Sequence, residues 1–117
     1  MSSRKLIETD HVIGILDTLP ATEGHCLIIP KRHVTYWNEM TSVETAQVFN
    51  TARQVAMRLK KVLKPDYVCM FIRGGRVKHT HVVLFPSYEG DKFTGFPQSA
   101  LGTPKIDLDK LLEKLKE

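Results

Sequence analysis

One stretch of the chain decides how the rest is interpreted: Val77-Lys78-His79-Thr80-His81-Val82-Val83-Leu84-Phe85-Pro86. Its β-branched and aromatic residues predict a strand over Val77 to Phe85 that stops at Pro86. Because side chains alternate between the two faces of a strand, His79 and His81 are expected on the same face. Residues at the alternate positions would point to the opposite face, into a core against a helix: Thr80, Val82 and Leu84.

Local patterns elsewhere predict four more strands and two helices. The strands are short β-type runs bounded by turn residues: Lys5 to Glu8, Val12 to Leu16, His25 to Ile29 and Tyr67 to Ile72. An apolar stripe at three- and four-residue spacing predicts a long helix over residues 42–63, with Thr41 and Glu44 as a capping box. Asp107 precedes a second amphipathic helix. The expected fold is α+β, with a five-stranded antiparallel sheet, one long central helix and a C-terminal helix.

Length and composition exclude several classes of protein. The 117 residues, 42% of them hydrophobic, fit one domain over residues 1–117, with a core over 5–86 and a tail and C-terminal helix over 87–117. The longest apolar runs are far shorter than the roughly 20 residues of a membrane-spanning helix, and no signal-peptide core follows the first residues. Two cysteines, Cys26 and Cys69, are too few for a disulfide framework or a four-cysteine zinc site. We therefore expect a cytoplasmic protein with reduced thiols.

The net charge of the chain gives little information about its binding partners. The net charge of +4 comes without a basic stripe interleaved with aromatic residues, so nucleic-acid binding is not favoured. The paired histidines admit three interpretations from their spacing alone. They could be ordinary polar residues on a half-exposed strand, an adventitious metal chelate, or catalytic groups. A catalytic zinc site needs a third protein ligand, which the sequence does not locate, so no metal or cofactor is predicted.

Three blocks of the sequence resemble the motifs of the histidine-triad (HIT) family. They are Asp17-Thr18-Leu19-Pro20, then Gly24-His25-Cys26-Leu27-Ile28-Ile29-Pro30-Lys31-Arg32-His33, and then the stretch from Val77 to Pro86. They follow the order and spacing of the family's D-x-x-P, G-H-x-L-hydrophobic-hydrophobic-P-K-x-H and V-x-H-x-H-x-H-x-x-P patterns. The resemblance covers residues 5–86 and implies the family's α+β fold.

The third triad position departs from the family pattern. With the frame anchored on Val77 and Pro86, His79 is the first triad histidine and His81 is the second. Val83 then stands where the third histidine is expected. The family's asparagine-bearing loop before the triad is shortened here to residues 73–76.

The resemblance implies chemistry at the α-phosphate of purine nucleotides or nucleotide conjugates. In the family, the middle histidine attacks the α-phosphorus and forms a nucleotidyl-histidine that water then cleaves, and His81 occupies this position. The third histidine assists departure of the leaving group. Valine can neither donate a proton nor hold a phosphate oxygen, so Val83 is expected to reduce activity on phosphoramidates or dinucleoside polyphosphates.

The remaining roles are carried over position by position. His79 and His25 would join His81 as catalytic residues near the phosphates, although a buried structural role remains an alternative for His25. Asp17 would bind the ribose hydroxyls, with a plain turn residue as its alternative. The other expected nucleotide contacts comprise the apolar clamp on the base, a buttress and a cation near the phosphates: Ile15 and Leu16, His33, and Arg76. Packing in the strand core is the alternative for Ile15 and Leu16.

Two functional hypotheses from different classes follow. The first is a nucleotide hydrolase or nucleotidyltransferase that uses His81. The second is a nucleotide-binding module that has lost turnover, and Val83 is the residue that separates the two. Family relatives pair through the central helix and the strand before the triad, so a homodimer is also expected.

Overall fold

The computed structural model describes residues 4–16, 24–72, 79–89 and 107–116. These ranges hold β1 (Arg4–Glu8), β2 (Val12–Leu16), β3 (Cys26–Pro30), α1 (Ser42–Leu63), β4 (Tyr67–Ile72), β5 (Val82–Ser87) and α2 (Leu108–Lys116). The strands form one antiparallel sheet in the order β1-β2-β3-β5-β4. The predicted α+β fold, with a long helix and a C-terminal helix on a five-stranded sheet, is confirmed.

Helix α1 has the predicted limits because its ends are set by local chemistry. The Thr41 hydroxyl accepts a hydrogen bond from the Glu44 backbone N–H at 3.1 Å, and Glu44 Oε1 accepts from the Thr41 N–H at 2.8 Å. This reciprocal capping box satisfies two backbone donors that would otherwise lack partners. At the other end Lys64 is left-handed, with a φ of 52°, and Pro65 follows. The apolar stripe of α1 is buried: Val48, Ala52, Val55 and Leu59.

One face of the sheet packs against the helices. Helix α1 lies over β2, β3 and β5, and α2 lies over β1 and against α1. The core consists of side chains from this face and from the helices, including Leu16, Cys26, Ile28, Val82 and Leu84 from the sheet and Leu111 and Leu115 from α2. No helix in the described ranges is long and apolar enough to cross a bilayer.

The other face, which we call the second face, is turned away from α1. A row of apolar residues crosses it, because the register aligns Ile15 with Leu27, Leu27 with Val83, and Val83 with Phe71. Side chains directly opposite each other on neighbouring strands share a face and pack together. The row therefore joins β2, β3, β5 and β4.

The predicted strand limits around the histidines are wrong. β5 begins at Val82, so His79 lies in a bend and His81 precedes the strand. The strand also continues through Pro86, which pairs with Val68 of β4. β3 pairs with β5 only as far as Leu84, so one side of Pro86 needs no ladder hydrogen bond and a proline is tolerated. On β3, the strand begins at Cys26, one residue after His25.

Candidate active site

The bend before β5 holds His81 by a short local contact. His81 Nδ1 lies 3.2 Å from the backbone oxygen of His79. A carbonyl oxygen only accepts hydrogen bonds, so the neutral ring carries its hydrogen on Nδ1 and its lone pair on Nε2. Both histidines are half-buried. The site therefore presents an imidazole of defined tautomer, the form needed for attack by Nε2.

The segment that leaves β3 holds His79 in turn. His79 Nε2–H donates to the carbonyl oxygen of Pro30 at 2.8 Å. The rings of His79 and His33 contact each other with centroids 5.1 Å apart and planes tilted by 58°. The Thr80 backbone N–H donates to the carbonyl of Val34. Three contacts from residues 30–34 thus orient the bend that carries the His79 carbonyl.

An ion pair attaches the same segment to α1. Arg32 Nε and Nη2 donate to the two carboxylate oxygens of Glu44, each at 2.8 Å, in a bidentate arrangement. The hydrogen bonds from Arg32 and from the Thr41 backbone lower the pKa of Glu44 to about 2. Glu44 is buried, and its carboxylate stays ionised at neutral pH because both of its oxygens accept hydrogen bonds. The pair is a structural link between the helix and the segment beside His79.

Val83 is buried in the apolar row of the second face. Its neighbours in register are Leu27 and Phe71, and its side chain is 3% exposed. Valine offers no hydrogen-bonding group at this position. Position 83, two residues after His81 and inside β5, is thus apolar and packed.

His25 lies at the opposite end of β3 from Pro30, whose carbonyl holds His79. His25 is buried beside Phe85, with ring centroids 6.3 Å apart. At about 3.3 Å per residue, the five steps along β3 from His25 to Pro30 span about 16 Å. Gly24, before it, has a φ of +90°, and a Cβ there would lie 2.7 Å from Leu63, so glycine fixes where His25 enters the sheet.

The residues expected to bind the nucleotide differ in their burial and in the face of the sheet on which they lie. Ile15 is half-buried on the second face, in register with Leu27. Leu16 is fully buried in the core, because neighbouring strand residues point to opposite faces, so we no longer assign it a contact with the base. His33 is exposed and contacts His79. Asp17 and Arg76 lie outside the described residues.

Three groups at the site were missed by sequence reasoning. The Pro30 carbonyl holds His79, and Arg32 and Glu44 hold the segment between them. The capping box singled out Glu44, but nothing in the local pattern showed its second partner 12 residues upstream. Within the described ranges, no group of three or more histidine, cysteine or acidic residues is arranged to hold a metal ion.

Comparisons with known proteins identify the class. Residues 1–90 match the family described as the HIT domain. An uncharacterised HIT-like protein of Mycoplasma genitalium is 34% identical over 122 aligned positions, covering 100% of this chain and 85% of the relative. The adenosine 5′-monophosphoramidase of Saccharomyces cerevisiae is 32% identical, over 98% of this chain and 72% of the enzyme. The chain belongs to the HIT family, which includes nucleotide hydrolases such as the yeast enzyme.

Solved structures support the same fold. A zinc-bound histidine triad family protein from Mycobacterium smegmatis superposes with a TM-score of 0.83 at 24% identity. The match covers 99% of this chain and 83% of the other. At that identity the likeness concerns the fold alone, and it agrees with the sheet order and helix positions described above.

Proposed function

We propose that this protein binds purine nucleotides and hydrolyses or transfers them at the α-phosphate through a nucleotidyl intermediate on His81. One observation carries the proposal: His81 Nδ1 is held by the His79 carbonyl, which directs the lone pair of Nε2 outward from that contact. The phosphoramidase activity of the yeast relative supports the substrate class. Phosphoramidates and dinucleoside polyphosphates are the two substrate types that this chemistry serves.

The proposed reaction proceeds in two displacements at phosphorus. His81 Nε2 attacks the α-phosphorus, the bond from Nε2 to phosphorus forms, and the bond to the leaving group breaks. Water then attacks the same phosphorus and loses a proton to solvent, the bond to Nε2 breaks with its electron pair returning to the ring, and the nucleoside monophosphate leaves. The intermediate places positive charge on the ring, and the Nδ1–H contact to the His79 carbonyl stabilises that charge without rearrangement.

The third triad position determines which leaving groups depart readily. An amine must gain a proton as it departs, and Val83 cannot supply one. The proton then comes from water, which lacks the advantage of a positioned general acid. A leaving group that departs as a stabilised anion, such as a nucleotide phosphate, needs no such proton. The proposal therefore favours activated nucleotides over phosphoramidates.

The remaining ligand contacts are part of the same proposal. Ile15, on the second face, packs against the base, and Asp17 accepts from the ribose hydroxyls. His33 supports His79 and Arg76 contacts the phosphates. His25, being far along β3 from His79, is proposed to act at the other end of an extended substrate or in packing beside Phe85.

A nucleotide-binding module without turnover is the second candidate. The burial of Val83 between Leu27 and Phe71 favours it, because the third position forms part of the apolar packing. Such a protein would bind nucleotides through the same contacts and form no covalent intermediate.

Trapping the intermediate tests the proposal directly. The protein is mixed with an adenylate that carries a good leaving group, quenched in denaturant at short times, and digested for mass spectrometry. We expect adenylate attached to the peptide that contains His81. His81→Ala should give none, whereas His11→Ala, at an exposed histidine outside the motifs, should give the wild-type amount. Nucleotide binding without any adenylated peptide would favour the binding module.

We also propose a homodimer formed through β4 and the outer face of α1. β4 is an edge of the sheet, and its exposed side chains include Tyr67 and Met70. An unpaired edge strand offers backbone groups that a second copy can pair with across a two-fold axis.

A further inference from the structure

Residues 30–34 form a short connection that contacts the histidines on one side and α1 on the other. Toward the histidines, the Pro30 carbonyl accepts from His79, the His33 ring packs on the His79 ring, and the Val34 carbonyl accepts from the Thr80 N–H. All three contacts fall on two consecutive residues of the bend. The position of the His79 carbonyl therefore depends on where this segment lies.

Arg32 holds the segment from the opposite side. Its guanidinium donates to both oxygens of Glu44 at 2.8 Å, and Nη2 donates further to the Glu39 carbonyl at 3.3 Å. A planar guanidinium that binds a carboxylate through two parallel hydrogen bonds fixes orientation as well as distance. Arg32 precedes His33 directly, so the ion pair and the ring contact on His79 are joined by one peptide bond.

Glu44 is itself firmly placed. It is 6% exposed, it lies in the first turn of α1, and Oε1 also accepts from the Thr41 N–H. The carboxylate is therefore a fixed point on the helix rather than a mobile surface charge. The chain of contacts runs from α1 through Glu44 and Arg32 to His33, then to His79 and the Nδ1–H of His81.

We propose that Arg32 and Glu44 are positioning residues that hold His81 in its Nδ1–H tautomer by fixing residues 30–34 against the histidine bend. The catalytic consequence rests on the proposed function of His81, but the tautomer itself does not. Losing the bidentate pair lets the segment shift, weakens the His79 contact with Pro30, and moves the carbonyl that His81 donates to. The alternative is that the pair only stabilises the N-terminus of α1.

Histidine NMR separates these two roles in the free protein. Two-bond ¹H–¹⁵N correlation spectra distinguish protonated from unprotonated ring nitrogens, and at about pH 8 a free imidazole is neutral. In the wild type we expect His81 to carry its hydrogen on Nδ1, with its signals assigned from His81→Gln. In Arg32→Gln the ¹⁵N shifts of His81 and His79 should move toward tautomer averaging. Arg32→Lys keeps the charge but loses the fork, so it should rescue only part of the change.

Two control variants test whether charge or helix stability explains the result. Lys31→Gln removes the neighbouring cation, which pairs with Glu8 at 2.6 Å instead of with α1. Thr41→Ala weakens the helix cap but leaves both carboxylate oxygens available to Arg32. Both should leave the histidine spectra unchanged. If either control shifts them as much as Arg32→Gln does, the positioning role is wrong.

Turnover and folding provide the remaining readouts. If His81 is the nucleophile, Arg32→Gln should lower kcat by up to about 10²-fold with little change in KM, the scale of a small misplacement of a catalytic group. An inactive wild type would reject the proposed function and leave the NMR result to decide the positioning role. Should Arg32→Gln fail to fold, Glu44→Gln removes the charge while keeping the shape. Unchanged His81 shifts in whichever of the two folds would overturn the proposal.

Discussion

Val83, at the position where the sequence motif predicts the third triad histidine, is buried and packed. Its register partners Leu27 and Phe71 are apolar, so the residue continues the row across the second face. The tautomer of His81 is set by the carbonyl of His79 and does not depend on the residue at position 83.

A histidine at position 83, the proposed third triad position, should change leaving-group preference. Val83→His is expected to raise hydrolysis of adenosine phosphoramidates by up to about 10²–10⁴-fold, the contribution of a general acid. Hydrolysis of substrates with stabilised anionic leaving groups should change little, because these leave without a proton. Steady-state rates on one substrate of each type provide the measurement. If nucleotide still binds but phosphoramidate hydrolysis stays undetectable, the site lacks more than one residue.

The ribose contact proposed for Asp17 gives a binding prediction. Asp17→Ala removes an acceptor for two hydroxyls, so the affinity for AMP should fall by about 1–3 kcal/mol, the usual worth of a charged hydrogen bond. Calorimetric titration with AMP and with its 2′-deoxy form checks this. Asp10→Ala, at a turn between β1 and β2, is the matched control and should bind normally. Equal affinity of the wild type for both nucleotides would contradict the assignment.

Thr80 lies between the two histidines and carries a buried hydroxyl. Its side chain is buried, and its Oγ1 has no hydrogen-bond partner among the described residues. Leaving a polar group buried without a partner costs about 1–3 kcal/mol, so the near-isosteric Thr80→Val should raise the free energy of unfolding by about 1 kcal/mol. Thr45→Val, which removes a hydroxyl bonded to the Thr41 carbonyl at 2.9 Å, should give no such gain in urea denaturation.

At the scale of elements, the start of α1 combines helix capping with attachment of residues 30–34. Glu44 serves both, through Thr41 and Arg32. Glu8, on β1, has a pKa lowered to about 2 as well, by hydrogen bonds from Lys31 and then Lys5. Its side chain is 38% exposed, however, so solvent screens its ion pairs and they contribute little to stability.

The difference in burial between Glu44 and Glu8 predicts how the stability of the protein depends on pH. The pKa of Glu44 is lower in the folded state than the ordinary 4.5, so its contribution is complete above about pH 4.5 and is lost as pH falls toward 2. Glu44→Gln should therefore lower the Tm at pH 7, and its difference from the wild type should shrink between pH 4.5 and 2. Glu8→Gln should lower the Tm much less at every pH. Parallel Tm curves for wild type and Glu44→Gln would contradict the assignment.

At the scale of the whole molecule, the two edges of the sheet differ. β1 is packed by α2, whereas β4 has few contacts with α1 and exposes Tyr67 and Met70. Exposed apolar residues on an edge strand are uncommon in stable monomers unless a partner covers them. Because the β4 edge is the more exposed of the two, we place the proposed dimer interface there.

The dimer makes a direct prediction for mass in solution. Light scattering at micromolar concentration should give about twice the 13.3 kDa of one chain. Met70→Lys, which places a charge on the paired edge, should shift the protein to monomer. Glu113→Gln, which changes the net charge equally at an exposed position of α2, should not. A wild-type mass of one chain would rule the dimer out.

Much of the fold was determined by signals that act over a few residues. The α1 limits follow from the capping box at Thr41 and from Pro65, and its buried stripe follows from helical spacing. The same holds for α2, where Asp107 Oδ1 accepts from the Lys110 N–H at 3.0 Å. The motif blocks were likewise sufficient to indicate the family that the comparisons then identified.

The geometry of the site was decided only by the tertiary structure. The contact between His79 and the Pro30 carbonyl joins residues 49 apart in sequence, and the contact between Arg32 and Glu44 joins residues 12 apart. No local pattern specifies such pairs, because they depend on how β3, β5 and α1 pack together. The start of β5 at Val82, later than expected, and the proline that β5 accommodates depend on how far β3 pairs with β5. Periodicity indicates which residues share a face, but only packing determines which of them meet.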